Sequence, residues 1–464
     1  MTVIDQTIHL DPLLQQVKHL NDCSYVQVQI PVAPYDIMDY VSRLDRSNEK
    51  FLYWRHPEED QEFLGVGVTE EFRFQGTDRF QHAGGVFDRL QQDTEVVTGT
   101  DTIDIPFVFF GGSFFPEITG SEWASFEPAI LYMPEWMIAK KHGTTLLVLN
   151  LKLSSMPDLN DIKEKALILL DSLSHAAEFG APSMQKFQLS LNGEKDTWMT
   201  MVQRSLQSIK EHHLEKVVIG SRIRVDLYGQ PSLAELLQNL ATDYPTCITF
   251  ALRESGGQIF FGSTPEWLVR THDTIVHCDA LAGSTTRSED PGEDRALGEA
   301  LLHDPKNRAE HQYVVEYIRQ ILQPVATEIS VGDTPQLQKL RNVQHIYTPI
   351  TARTRQGISP FELLAKVHPT PAVGGIPSPD ALRFIRDLED YDRGYFAGPI
   401  GWLSTVNTMN MVVGLRSGLL RNDSLLLYAG AGIVRDSIPE EEYKELQLKY
   451  QPILSAIRQL AMYD

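Results

Sequence analysis

The chain has 464 residues, 42% of them hydrophobic, which is enough for a large core in two or more domains or in one large α/β unit. A formal net charge of −21 favours solubility and excludes a protein that wraps a phosphate backbone, so no nucleic-acid partner is expected. It leaves open an anionic small substrate, because a few buried basic groups set their own local field.

Residues Met1 to Gln6 lack a basic region followed by an apolar stretch, so no secretory leader is expected. A short helix is predicted around Leu13 to Leu20. From about 50 to 150 the text is strand-like, in Phe51-Leu52-Tyr53-Trp54, Phe63 to Val68, Phe107 to Gly112 and Leu146 to Leu151. Helices are predicted over 160–176, 196–213, 294–323, 377–389 and 439–461. The longest uncharged stretch, Gly394 to Leu415, carries Pro399, Asn407 and Asn410 and reads as strands, not as a membrane span. Cys23, Cys247 and Cys278 are widely spaced and show neither a disulfide framework nor zinc spacing, which points to a reducing cytoplasm. Strands and helices are interspersed without a βαβ cadence and without a Pro/Gly/Ser linker, so the expected fold class is α+β.

Several segments carry candidate chemistry, each with a plainer reading beside it. Lys216 opens the strand Lys216-Val217-Val218-Ile219-Gly220, whose alternation puts Lys216, Val218 and Gly220 on one face. A lysine kept from water there favours its neutral form and is a candidate base; a strand-end lysine reaching for solvent is the commoner case. Glu266 follows the apolar run Phe260 to Thr264 at a turn, where burial beside Trp267 would keep it protonated as a general acid needs. Alternatively it begins a helix after Pro265. Leu281-Ala282-Gly283-Ser284-Thr285 and Gly430-Ala431-Gly432 read as small-residue turns, able to aim N–H groups at an anion or to be ordinary tight turns.

Glu310 lies on a predicted helix and shares a face with Tyr313, Val314 and Tyr317, so it needs a partner if buried. In the last helix Ser437 to Glu440 looks like a capping box, Glu442, Glu445 and Lys449 align, and Leu446, Tyr450, Ile453 and Ile457 form the core stripe. One carboxylate from each of these two helices is how a protein holds Mg²⁺ against an acidic substrate, whereas a surface Glu445–Lys449 pair is the plainer alternative. Arg416 ends an alternating strand and is either a carboxylate clamp or a surface charge. His368 to Pro377, stiffened by Pro369, Pro371 and Pro377, suits a pocket wall or any ordered crossover.

Taken in order, these motifs resemble the chorismate-utilising enzymes: isochorismate, salicylate, anthranilate and aminodeoxychorismate synthases. The resemblance runs from about 200 to 464 through Lys216-Val217-Val218, Thr264-Pro265-Glu266, Leu281 to Thr285, Glu310-His311, His368 to Ala372, Arg393 to Gly398 and Gly430 to Val434. A more divergent match covers 50–135, including Phe110-Gly111-Gly112 and the Trp123/Phe126 region. It implies a large mixed fold of antiparallel sheets flanked by helices. Residues 1–200 would be the divergent half and 201–464 the catalytic region of one intertwined unit.

Within the family, the water-activating lysine of isochorismate and salicylate synthases falls on Lys216, where anthranilate synthases carry glutamine. Leu281-Ala282-Gly283 leaves no lysine like the nucleophile of aminodeoxychorismate synthases. Ala372 is similar to isochorismate synthases, where amine-forming members and many salicylate synthases have threonine. Phe396 stands where many relatives have tyrosine. The resemblance implies an Mg²⁺-dependent isochorismate synthase feeding quinone synthesis before siderophore or salicylate synthesis; the alternatives are a salicylate synthase, an anthranilate or aminodeoxychorismate synthase subunit, and a non-catalytic binding homologue. Lys216 and Glu266 would be catalytic, and Gly283, Ala372, Phe396, Arg416, Gly430 and Lys449 would bind chorismate. Glu310 and Glu445 would hold the metal with Glu442 nearby. A monomeric protein of the cytoplasm, without membrane attachment, is expected.

Overall fold

A computed structural model describes residues 3–20, 22–45, 47–174, 186–190, 194–254, 256–341, 343–421 and 424–460. Among them two large sheets form, one of 13 strands and one of 10. Every pairing is antiparallel except that of Tyr25–Pro31 with Thr94–Thr98, which is parallel. The first sheet runs from Lys216–Tyr228 through Ser424–Ile433, Ser417–Leu420, Ile259–Thr264 and Ile248–Arg253 into Phe51–His56 and Gln61–Val66. The second passes from Val343–Thr354 through Ile275–Thr286, Trp267–His272, Thr408–Val413 and Pro399–Leu403 into Val108–Gly112. Each sheet thus draws strands from both halves of the chain, and helices cover the outer faces.

Alternation sorts the side chains between two cores. Along Phe51–His56, Leu52 and Trp54 point into the core between the sheets, while Phe51 and Tyr53 join the core under the helices. A strand buried on both faces must be apolar at nearly every position, which is why this run reads as continuous and not alternating. Lys216–Tyr228 does the same at its start, and Gly394 to Leu415 forms the two strands Pro399–Leu403 and Thr408–Val413 as expected.

Several elements depart from the sequence reading. The predicted helix over 294–323 is two helices, Pro291–His303 and Pro305–Leu322. Pro305 cannot continue the first, and the Asp304 carboxylate accepts from the Asn307 N–H to start the second. The helix Arg79–Gln92 lies inside the stretch read as strand, masked by Gly84 and Gly85; Gly84 is needed because a Cβ there would meet Phe361 at 2.8 Å. Leu281–Thr285 and Gly430–Gly432 are parts of strands, not turns. The strand holding Val412-Val413 stops at Val413, so Arg416 lies beyond it in a left-handed conformation, φ 45°. The last helix begins at Pro439, and the Ser437 hydroxyl accepts from the Val434 N–H, so the expected capping box does not form in that register. Its core stripe of Leu446, Tyr450, Ile453 and Ile457 is buried as the spacing demands.

One buried ion pair ties these parts together. Arg393, 1% exposed, makes a bidentate contact with Glu389, with Nε 2.8 Å from Oε2. Its Nη1 donates to the Val373 carbonyl (3.0 Å) and its Nη2 to the Val218 carbonyl (2.8 Å), while Glu389 Oε1 accepts from the Gly220 N–H (2.6 Å). Trp123, from the other half of the chain, closes over the next residue. It stacks on Tyr395, its Nε1 donates to the Asp392 carbonyl, and Gly394 (φ 50°) has room only for a hydrogen against it. Removing one partner of such a pair leaves an uncompensated buried charge. Arg393→Met is therefore expected to lower stability by about 3–5 kcal/mol, and the Arg393→Met, Glu389→Leu double variant by less. Urea unfolding of the three proteins checks this; equal losses in the single and double variants would refute it.

Candidate active site

The start of the Lys216–Tyr228 strand lies against Ser424–Ile433, with Val218 opposite Gly432 and Gly220 opposite Gly430. The glycines leave a trough. A Cβ on Gly432 would sit 3.1 Å from Lys216 Cε and 3.2 Å from Glu310 Oε1, so its absence makes room for that pair. Lys216 is 1% exposed, and its Nζ lies 2.9 Å from Glu310 Oε1. The lysine is therefore neither surface-seeking nor alone; the helix Pro305–Leu322 supplies the partner that both buried charges need. Burial alone would raise the Glu310 carboxyl. The charge and hydrogen bond of Lys216, followed by Lys449 and Lys306, bring it below its ordinary value.

Glu266 lies between the strands Ile259–Thr264 and Trp267–His272, so it leads into a strand and not a helix. Its backbone is fixed by the Val413 N–H donating to its carbonyl (3.0 Å). Burial pushes its carboxyl up to about 7, against the opposing pull of Lys216 and Lys449. That leaves it divided between protonated and ionised forms near neutrality, a condition for proton transfer.

On the opposite wall the strand Ile275–Thr286 bulges at Gly283 (φ 76°), where the register slips between Ala282 and Ser284. The bulge sets Ser284 against His345, with Oγ and Nδ1 2.8 Å apart. Arg416 Nη2 lies 3.4 Å from His345 Nε2. Arginine only donates, so Nε2 accepts and Nδ1–H donates to Ser284. Burial, then Arg416 and Lys449, push His345 down to about 3, in keeping with a neutral ring. Arg416 itself is buried, and among the described residues no carboxylate pairs with it. An unpaired buried guanidinium is a ready site for an anion.

One cavity gathers Lys216, Glu266, Gly283, Ala372, Phe396, Arg416, Gly430 and Lys449, together with Glu310 and Glu445. Lys449 is held by Glu445 (2.8 Å) and by the Gly430 carbonyl (2.7 Å), so the helix-surface pair read from the sequence exists and also faces the cavity. Glu442 is buried outside this lining, 3.6 Å from Lys306; burial and then Glu445 raise its carboxyl. Among the described residues no three His, Cys, Asp or Glu side chains are grouped closely enough to hold a metal. His345 was not legible in the sequence: it is one polar position in a long strand with no motif around it. Arg393 and Ser284 stood within recognised motifs, but nothing local disclosed their contacts. The three cysteines are free, and among the described residues no helix is long and apolar enough to cross a membrane.

The sequence pattern of the chorismate binding enzymes matches residues 12–458. The chain is 30% identical to isochorismate synthase MenF of Bacillus subtilis, over 97% of each chain. It is 32% identical to the salicylate biosynthesis isochorismate synthase of Pseudomonas aeruginosa, over 97% of this chain and 93% of that one. Its fold is similar to the menaquinone-specific isochorismate synthase MenF of Escherichia coli, with a TM-score of 0.78, 25% identity, and 97% and 99% of the two chains covered. Anthranilate synthase component I of Streptococcus pneumoniae shares the fold, with a TM-score of 0.69 and 21% identity over 85% and 92% of the chains.

The raised Glu266 carboxyl has a consequence for stability. The folded protein holds this proton more tightly than the unfolded chain, whose ordinary value is 4.5, so stability falls as pH rises from there to about 7. The full penalty, of order 3 kcal/mol, is present above that range. Glu266→Gln is expected to remove this slope and to be more stable than the native protein at pH 8, as read by denaturant midpoints across pH. Parallel pH profiles for the two proteins would contradict it.

Proposed function

The chain belongs to the chorismate binding enzyme family, and from that we propose that it is an isochorismate synthase, an isomerase that exchanges the hydroxyl of chorismate from C4 to C2. Relatives named for this activity span nearly the whole chain. The observation that carries the reading is one cavity holding a buried lysine and a carboxyl poised near neutrality, Lys216 and Glu266.

For the attack on C2, Lys216 must first leave its ion pair with Glu310 and give up a proton; the neutral amine then takes the proton of the attacking water. Glu266, in its protonated form, gives a proton to the C4 hydroxyl as it leaves and the double bond shifts. One water enters and one departs, so the reaction is an isomerisation. Arg416 takes a substrate carboxylate, its guanidinium steadied by the neutral His345, and Lys449 adds positive charge. Gly283, Ala372, Phe396 and Gly430 shape the walls. Lys216 and the absence of a lysine in Leu281-Ala282-Gly283 favour water over an amine nucleophile.

The carboxylates suit Mg²⁺, which takes one or two such groups and completes its shell with water and substrate oxygens. Glu310 and Glu445 reach the same cavity from separate helices, and Glu442, raised by burial and then by Glu445, lies beside them. When bound there, the ion would offset the charge of a substrate carboxylate against this acidic wall. The widely spaced free cysteines support a reducing cytoplasm. We take quinone synthesis as the destination of the product. The Pseudomonas aeruginosa relative, named for salicylate biosynthesis, supports salicylate supply as the second reading.

Purified protein incubated with chorismate and Mg²⁺ is expected to yield isochorismate, with the activity lost to EDTA; chromatography of the products decides. Salicylate and pyruvate would move the protein to the lyase branch, and amine products formed with ammonia would overturn the water mechanism. Lys216→Ala and Glu266→Gln are expected to lower kcat by about 10²-fold or more while the fold persists. Full turnover in either would remove that residue from its role. Glu445→Gln should raise the Mg²⁺ concentration needed for half-maximal rate.

A further inference from the structure

Arg416, the group assigned to a substrate carboxylate, is held from two sides by side chains that carry no charge. Its own backbone is left-handed (φ 45°), and its carbonyl accepts from the Ser263 N–H (3.2 Å), which fixes where the side chain starts. From there Nη2 lies 3.4 Å from His345 Nε2, on the strand Val343–Thr354. Nη1 lies 4.0 Å from the sulfur of Cys247, next to the strand Ile248–Arg253. Burial, then Arg416 and Lys449, push His345 down to about 3, and burial raises the Cys247 thiol against the pull of Arg416. Both acceptors are therefore neutral.

Neutrality has a consequence for the ligand. A carboxylate in either place would satisfy the guanidinium charge and compete with the substrate. Neutral acceptors fix the direction of the fork and leave its charge uncompensated. An imidazole can do this in only one tautomer, with the proton on Nδ1 and the lone pair on Nε2. The group that accepts from Nδ1–H is the Ser284 hydroxyl, 2.8 Å away. Strict alternation would turn Ser284 to the other face of its strand. The bulge at Gly283 restores it to the face of Leu281, because Leu281 lies opposite Tyr347 and Ser284 opposite His345. The bulge therefore acts on Arg416 through two contacts.

We propose that Ser284 is a positioning residue for Arg416 and acts through His345. Its hydroxyl accepts the Nδ1–H and so turns the bare Nε2 toward the guanidinium. With Cys247 on the other side, the arginine is aimed by neutral groups alone, and its charge is kept for a substrate carboxylate. This deepens the proposed function and rests on the role given there to Arg416.

Ser284→Ala is expected to raise KM for chorismate roughly tenfold, the worth of one hydrogen bond, with kcat little changed. Ser284→Thr keeps the hydroxyl and should restore the native KM. Because the effect runs through the ring, Ser284→Ala should add nothing in a His345→Phe background, whereas a hydroxyl that touched substrate directly would give additive losses. Cys247→Asp supplies a stronger acceptor but a charged one, and is expected to raise KM as well. Nitrogen NMR spectra of protein labelled at histidine should show a ring protonated at Nδ1 and bare at Nε2. That signal should vanish in His345→Phe and shift in Ser284→Ala. It needs no turnover, so it decides the link between Ser284 and His345 even if chorismate is not the substrate. An unchanged KM or an unshifted signal in Ser284→Ala, additive losses with His345→Phe, a lower KM in Cys247→Asp, or a His345 ring bare at Nδ1 would each overturn the proposal.

Discussion

The cavity that gathers Lys216, Glu266 and Arg416 depends on the buried contact between Arg393 and Glu389. Each partner satisfies the other's charge, and their remaining capacity is spent on backbone: the Val218 carbonyl and Gly220 N–H of one strand, and the Val373 carbonyl of the loop beside it. These three points lie a few residues along the chain from Lys216 and Ala372, which line the cavity. A buried pair is weak evidence for net stability, because desolvation offsets much of its attraction. Its value here is geometric. It fixes a strand and a loop that share no sequence continuity, and Trp123 from the distant half of the chain packs behind the Asp392-Arg393-Gly394 corner to hold it.

The cavity resolves a tension set by composition. The chain carries 62 acidic and 41 basic residues, while the proposed substrate is an anion. Three acids at or beside the cavity are matched with lysines, Glu310 with Lys216, Glu445 with Lys449 and Glu442 with Lys306, while Arg416 is left unmatched by any described carboxylate. The local field is then set by that guanidinium and not by the bulk charge. Glu266 responds to the same surroundings differently. It has no paired cation in contact, so burial outweighs the more distant lysines and keeps its proton near neutrality.

Much of the fold was legible where the sequence carries periodicity or punctuation. The strand at Lys216, the paired strands after Gly394 and the core stripe of the last helix follow from alternation and helical spacing. The errors have local causes. Small-residue runs signal turns, yet Gly283 serves as a bulge inside a strand, and Gly432 thins another strand so that two charged side chains fit against it. The helix Arg79–Gln92 was hidden because its two glycines lower propensity, while close packing on Phe361 requires one of them.

By itself, the sequence determined which chemical groups this protein owns and roughly which elements carry them: lysine at a strand start, glutamate after a proline, acids on two helices. Those facts depend on residue identity and near neighbours, which a linear text preserves. Only the tertiary structure decided their states. Whether Lys216 is paired, whether Glu266 keeps its proton, which nitrogen of His345 accepts, and that Arg416 faces no described carboxylate all depend on groups far away in the chain. Charge and burial act through space, so the protonation of a residue is a property of the assembled cavity and not of the segment that carries it.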